Sequence, residues 1–233
     1  MVSLDALADG AAGARQATMA HRVFRAIKQA IVRGQLAPGH PVSEAELARQ
    51  LGVSRQPVRE AFIKLSDMGL VEIRPQRGTF VQLISRREVE NARFIREAIE
   101  VAVVRRAAEV ATPEGVAPLL RLLDEQDRCG DHPDQNHFLV LDDALHRAIA
   151  VLADCEHAWR MVEDLKVQMD RVRYLSLSNA TPVETIIAQH RGIVSAIAAN
   201  DPEGAEAAMH LHLREILNSL PMIAEESSDV FVP

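Results

Sequence analysis

The chain has 233 residues, 48% of them hydrophobic, 25% charged and only 3% aromatic, which is globular chemistry at a length suited to one large or two smaller domains. Eleven Pro and eleven Gly exclude a fibrous or low-complexity protein, and no stretch approaches the ~18 consecutive apolar residues that a membrane span needs. The net charge of −7 conceals an asymmetry: residues 1–84 hold eleven Lys/Arg against seven Asp/Glu, whereas residues 85–233 hold fifteen against twenty-six. A basic first part and a strongly acidic remainder predict two domains with different partners.

The first eighteen residues carry Asp5 and Asp9 where a secretory signal would place Lys or Arg. They are expected to be a flexible N-terminus on a cytoplasmic protein. Cys129 and Cys155 lack CxxC spacing, so neither a disulfide framework nor a thiolate zinc site is expected.

Val23, Phe24, Ile27 and Ile31 recur at helical spacing up to Gly34. Ser43 and Glu46 form a capping box before Leu47, Ala48 and Leu51, and this second helix stops at Gly52. Ser54 is placed to cap a third helix with Val58, Ala61, Phe62 and Leu65 on one face, and Pro57 is tolerable in its first turn. Residues 70–74 and 79–83 alternate around Pro75-Gln76-Arg77-Gly78 as a hairpin. Three helices and a hairpin predict a winged helix-turn-helix over residues 19–84.

From Ser85 onward every segment reads as helix. The predicted helices span about 85–110, 112–128, 134–153, 156–177, 182–199 and 202–220, with Cys129–Pro133 as a connecting loop. The fold class expected is mainly α: the winged helix-turn-helix, then an antiparallel bundle of about six helices over 85–221, with 222–233 as a flexible tail.

In a helix-turn-helix the second helix enters the major groove, where Arg can donate two bonds to guanine O6 and N7. Arg55 and Arg59 lie four apart early in the third helix, away from Val58, Phe62 and Leu65, with Gln56 beside them. Arg77-Gly78 at the hairpin tip is placed to reach the DNA backbone or minor groove. On charge pattern alone, Arg55 and Arg59 equally suit a merely solvated helix face.

The segment from Arg22 to Val81, RVFRAIKQAIVRGQLAPGHPVSEAELARQLGVSRQPVREAFIKLSDMGLVEIRPQRGTFV, resembles the N-terminal domain of GntR-type transcriptional regulators. The resemblance implies an operator-binding domain in which Ser54, Arg55, Gln56 and Arg59 are recognition-helix contacts and Arg77-Gly78 the wing tip. It also implies a homodimer on an inverted repeat. Ala45 departs from the pattern, since many relatives carry Arg there and one familiar DNA contact is then missing.

Three histidines interrupt apolar stripes. Asp142 and His146 project from one helical face at i and i+4; His190 falls among Ile186, Ile187, Ile193, Val194 and Ile197; His212 aligns with Ala205, Ala208 and Ile216. A buried imidazole needs a partner. A divalent metal satisfies three imidazoles and a carboxylate together, with Zn favoured and Ni, Mn or Fe also suited. Taken singly, each His is better explained as an ordinary hydrogen-bonded core residue than as a ligand.

Residues from about 86 to 220 resemble the FCD effector domain of the FadR subfamily, whose metal pattern is D-x-x-x-H followed by one His on each of two later helices. Asp142, His146, His190 and His212 match it, and Leu145 stands where relatives often have Phe. The resemblance implies a small carboxylate or sugar-acid effector completing the metal's coordination, with Arg96 as its anchor. Arg96 also suits an intrahelical pair with Glu100, and Arg171, Arg173 and Tyr174 are further candidates whose direction helical phase does not decide.

Together these readings predict a regulator, not an enzyme, that binds double-stranded operator DNA, a small organic acid and a second copy of itself, with no membrane partner. Two alternatives remain at this stage. One is a metal-responsive regulator with a purely structural metal; the other is a DNA-tethered metallohydrolase, for which no HExxH, Ser-His-Asp or phosphate-loop signature is present.

Overall fold

The computed structural model describes residues 18–129, 135–179 and 181–232. The predicted flexible N-terminus, apart from Thr18, and most of the Cys129–Pro133 loop lie outside the described residues. The chain divides into two compact units: residues up to Ser85 together with those from Ser227, and Arg86–Glu226.

The first unit is built from α1 (Met19–Val32), β1 (Pro41–Val42), α2 (Glu44–Leu51), α3 (Arg55–Asp67), β2 (Val71–Arg74) and β3 (Gly78–Val81). Thr18 caps α1 by accepting from the His21 amide at 3.3 Å, and Ser43 caps α2 by accepting from the Glu46 amide at 3.4 Å. Gly52 ends α2 in the left-handed region at φ 65°, which makes the tight turn into α3 possible without a Cβ clash. Ser54 takes the N-cap position of α3 but makes no side-chain capping bond, which leaves its hydroxyl at the surface.

β2 and β3 form the predicted hairpin. Sequence reading missed β1, which pairs with β3 to give the antiparallel order β1-β3-β2; two residues carry no detectable alternation. The buried faces of the helices, including Val23, Ile27, Val58, Phe62 and Leu65, make the core. At their observed exposure these side chains each contribute roughly 1.5–3 kcal/mol of apolar burial.

The second unit contains α4 (Arg86–Val110), α5 (Pro113–Cys129), α6 (Gln135–Leu152), α7 (Glu156–Leu165), α8 (Val167–Asn179), α9 (Val183–Ala198) and α10 (Pro202–Glu226). Its core joins Val104, Ala107, Leu119, Leu145, Ile149, Trp159, Ile193 and Met209. α4 and α10 run antiparallel, tied by Glu97 to Arg214 at 2.7 Å and Arg105 to Glu206 at 3.1 Å. Pro113 and Pro202 open α5 and α10 at positions where a missing N–H costs nothing.

Two boundaries differ from the sequence reading. The single helix expected over 156–177 is split at Lys166, whose ammonium is buried between Asp143 and Asp170, 2.8 Å from each. The bundle, expected to end at Pro221, continues to Glu226 because Ile223 and Ala224 extend the buried face of α10. That burial offsets the hydrogen bond lost at Pro221.

Nor do the last described residues, up to Val232, hang free. Ile84 donates to the Val230 carbonyl at 2.8 Å and accepts from the Val232 amide at 2.9 Å, forming a parallel bridge with Phe231. Phe231 is 4% exposed, so an aromatic side chain late in the chain is buried and belongs with the first unit.

Candidate metal centre

The expected DNA-reading residues are all on the first unit's surface. Ser54, Arg55, Gln56, Arg59, Arg77 and Gly78 are exposed. Arg59 donates from Nε and Nη2 to both oxygens of Glu44, at 3.1 and 3.0 Å, and Gln56 donates to Glu60 at 3.0 Å. In the wing the Arg77 amide closes the turn on the Arg74 carbonyl at 3.0 Å, and Gly78 adopts φ 100°, a conformation that suits glycine and lets the turn reverse.

In the second unit α6 carries Asp142 and His146, α9 carries His190 and α10 carries His212. All four are buried. One ligand atom from each lies within 4.8 Å of every other. The Nε2 atoms of His146 and His212 are 3.1 Å apart, and His190 Nε2 is 3.5 Å from Asp142 Oδ1. Among the described residues His190 Nε2 has no hydrogen-bond partner.

The electrostatics keep His190 and His212 neutral and the carboxylates of Asp142 and Glu100 charged. Burial lowers the pKa of His190 to about 3 and that of His212 well below the usual histidine value. Burial alone would raise Asp142, but the Arg173 guanidinium holds it well below the usual carboxylate range. Glu100 falls to about 2 for the same reason: against its burial stand Arg96 and His146, both of which it contacts directly.

Three imidazoles and one carboxylate converging on one buried point are a donor set that suits a divalent cation. An unpartnered buried nitrogen costs roughly 1–3 kcal/mol, and metal ligation removes that cost. The residues present therefore fit a metal.

A cleft with a cavity volume of about 50 Å³ opens to solvent beside Asp142 and His212. Arg96, Asp142, Arg173, His212, Glu215 and Ser219 are among the residues that line it. Arg96 makes the intrahelical pair, its Nε with Glu100, while its Nη2 is buried with no hydrogen-bond partner among the described residues. Of the three α8 candidates, Arg173 lines the cleft and contacts Asp142, Asp143 and Asp170. Arg171 is buried elsewhere and donates to Gln168 at 3.0 Å.

Sequence reading missed the partners of the imidazoles. Glu100 contacts His146 Nδ1, Gln126 Oε1 lies 2.7 Å from His190 Nδ1, and Gln189 Oε1 lies 3.1 Å from His212 Nδ1. A signal existed for Gln126, which continues the buried stripe Val116, Leu119, Leu123 of α5 as its polar member. Gln189 offers no comparable signal.

Residues 19–81 match the family described as bacterial regulatory proteins, gntR family, and residues 92–215 match the FCD domain. The HTH-type transcriptional repressor RspR of Escherichia coli K12 is 44% identical over 210 residues, covering 90% of this chain and 92% of that protein. The chain belongs to the GntR family.

A GntR regulator with an FCD domain is a DNA-binding transcriptional regulator and not an enzyme. A probable D-xylose utilization operon transcriptional repressor of Paenarthrobacter nicotinovorans is 33% identical over 202 residues, 86% of this chain and 88% of that protein. The fold matches E. coli McbR/YncC with a TM-score of 0.75 at 23% identity, over 91% of this chain and 99% of that one. Among the described residues no helix is long and apolar enough to cross a membrane.

Proposed function

We propose that this GntR-family protein is a cytoplasmic, homodimeric repressor whose operator binding is controlled by a small carboxylate or sugar acid bound beside a metal ion. Asp142, His146, His190 and His212 hold the ion, with zinc best suited to the nitrogen-rich set and Ni, Mn or Fe as other occupants. When bound, the metal supplies a Lewis-acidic point for an effector oxygen. Arg96 pairs with the effector's carboxylate through its free Nη2.

The observation that carries this reading is the cluster of four buried ligands, two of which, Asp142 and His212, line the same cleft as Arg96, whose Nη2 has no hydrogen-bond partner among the described residues. The names of the relatives support a repressor, and one relative's operon concerns a sugar. Residues 19–84 contact an inverted-repeat operator, with Ser54, Arg55, Gln56 and Arg59 in the major groove and Arg77-Gly78 at the wing; residues 85–221 bind the effector. Phe94, 67% exposed, and Ile95 on α4 form an apolar face that a second copy would cover.

Repression is relieved when the effector binds one dimer geometry better than the other, and a difference of a few kcal/mol shifts the population strongly. The test is metal analysis of the purified protein, then calorimetric titration with hydroxy and sugar acids, with and without chelator. About one metal per chain and acid binding that chelation abolishes are expected. Acid binding that survives chelation unchanged would remove the metal from the effector site.

A further inference from the structure

We infer that Glu100, Gln126 and Gln189 are positioning residues that lock all three imidazoles as Nδ1–H tautomers, so that every Nε2 lone pair faces the centre. The inference rests on the metal-site reading above and deepens it. It follows from three groups that can only accept hydrogen bonds, each of which fixes the direction of one chain of bonds.

For His190 the fixed point is the backbone carbonyl of Leu141. Gln126 Nε2 donates to it at 3.1 Å, so the Gln126 amide oxygen is the end that faces His190 Nδ1 at 2.7 Å. An oxygen there requires a proton on Nδ1. For His212 the fixed point is the Glu215 carboxylate, to which Gln189 Nε2 donates at 2.8 Å. Its amide oxygen therefore faces His212 Nδ1, which must donate.

For His146 the acceptor is Glu100 itself, whose other oxygen receives Arg96 Nε. The anchors come from α4, α5 and α9, so the ring orientations are set by packing between helices and not by one loop. Protonated Nδ1 leaves Nε2 of each neutral ring as a bare lone pair. The two Nε2 atoms of His146 and His212, 3.1 Å apart, then have no proton to share, and their repulsion is relieved by a cation between them. Outer hydrogen bonds of this kind fix the tautomer and raise ligand basicity in metal sites.

The experiment is long-range proton–nitrogen NMR on the chelator-treated, histidine-labelled full chain, followed by zinc competition against a chromophoric chelator. Nδ1–H signals are expected for His146, His190 and His212 before any zinc is added. Gln126→Leu and Gln189→Leu are each expected to weaken zinc binding about 10–100-fold, and Gln126→Glu, which keeps an oxygen acceptor, to restore most of it. An Nε2–H tautomer at any of the three rings overturns the inference, as does wild-type zinc affinity in both leucine variants. Nδ1–H tautomers in a wild-type chain that takes up no zinc would uphold the positioning role while removing the metal reading. The wild-type spectrum decides the tautomers even if a variant fails to fold.

Discussion

Arg59 grips both oxygens of Glu44 across the turn of the helix-turn-helix, using two parallel N–H donors of its guanidinium fork. The pair is exposed, so it contributes little stability and yields readily to a base. Arg59→Ala is expected to cost about 1–3 kcal/mol of specific operator binding and to relax base choice at one position. Glu44→Gln should cost less, because it removes a competitor as well as a support. Binding to a library of single-base operator variants measures both.

His190 contributes a completely buried ring. His190→Ala is expected to lower zinc content from about one per chain toward zero and to blunt the effector response, while the surface of α3 and hence operator binding persist. Elemental analysis and electrophoretic mobility on the same preparation check the two halves, and full zinc retention would contradict the site.

Burial sets a pH dependence with a definite sign. In the metal-stripped protein His190 and His212 bind fewer protons folded than unfolded. Stability therefore falls as pH drops below about 6.5, the unfolded histidine value, and for His190 continues to fall toward about 3. The slope approaches 1.4 kcal/mol per pH unit for each imidazole. Glu100, depressed to about 2, adds its own loss only below about 4.5. Urea midpoints of chelated protein at pH 7 and 5.5 should therefore separate clearly; coincident midpoints would contradict neutral buried rings.

Arg173 is the cation that Asp142, Asp143 and Asp170 share. Its charge is strongly held, since these carboxylates outweigh the effect of burial. Arg173→Met removes the ion pair of Asp142 and leaves Lys166 to hold Asp143 and Asp170, and it is expected to destabilise the chain by about 3–5 kcal/mol. Zinc should recover part of the loss by neutralising Asp142. Unfolding curves with and without zinc measure it.

Periodicity, caps and turn residues made most of this architecture legible, because long amphipathic helices with Ser, Thr-Pro and Asp-Pro starts carry their signals locally. The four proposed ligands were visible for the same reason: a polar residue in an apolar stripe is conspicuous at His190 and His212. What escaped was non-local. β1 is two residues long and exists because β3 pairs with it; Gln189 looks like any helix-surface glutamine until α10 brings His212 beside it; the break at Lys166 depends on an aspartate 23 positions earlier. Phe231 follows a polar, charged stretch, and no local pattern announces that Ile84 awaits it.

The Ile84–Phe231 bridge also changes how the end of the chain is to be handled at the bench. Cutting after Glu226 is an operation on the unit that reads DNA, because it strips a buried phenyl ring and two backbone hydrogen bonds from beside the wing. A purification handle or reporter fused behind Pro233 hangs from the DNA-binding unit. Operator affinities measured on C-terminally tagged and untagged protein are thus properties of two different readers.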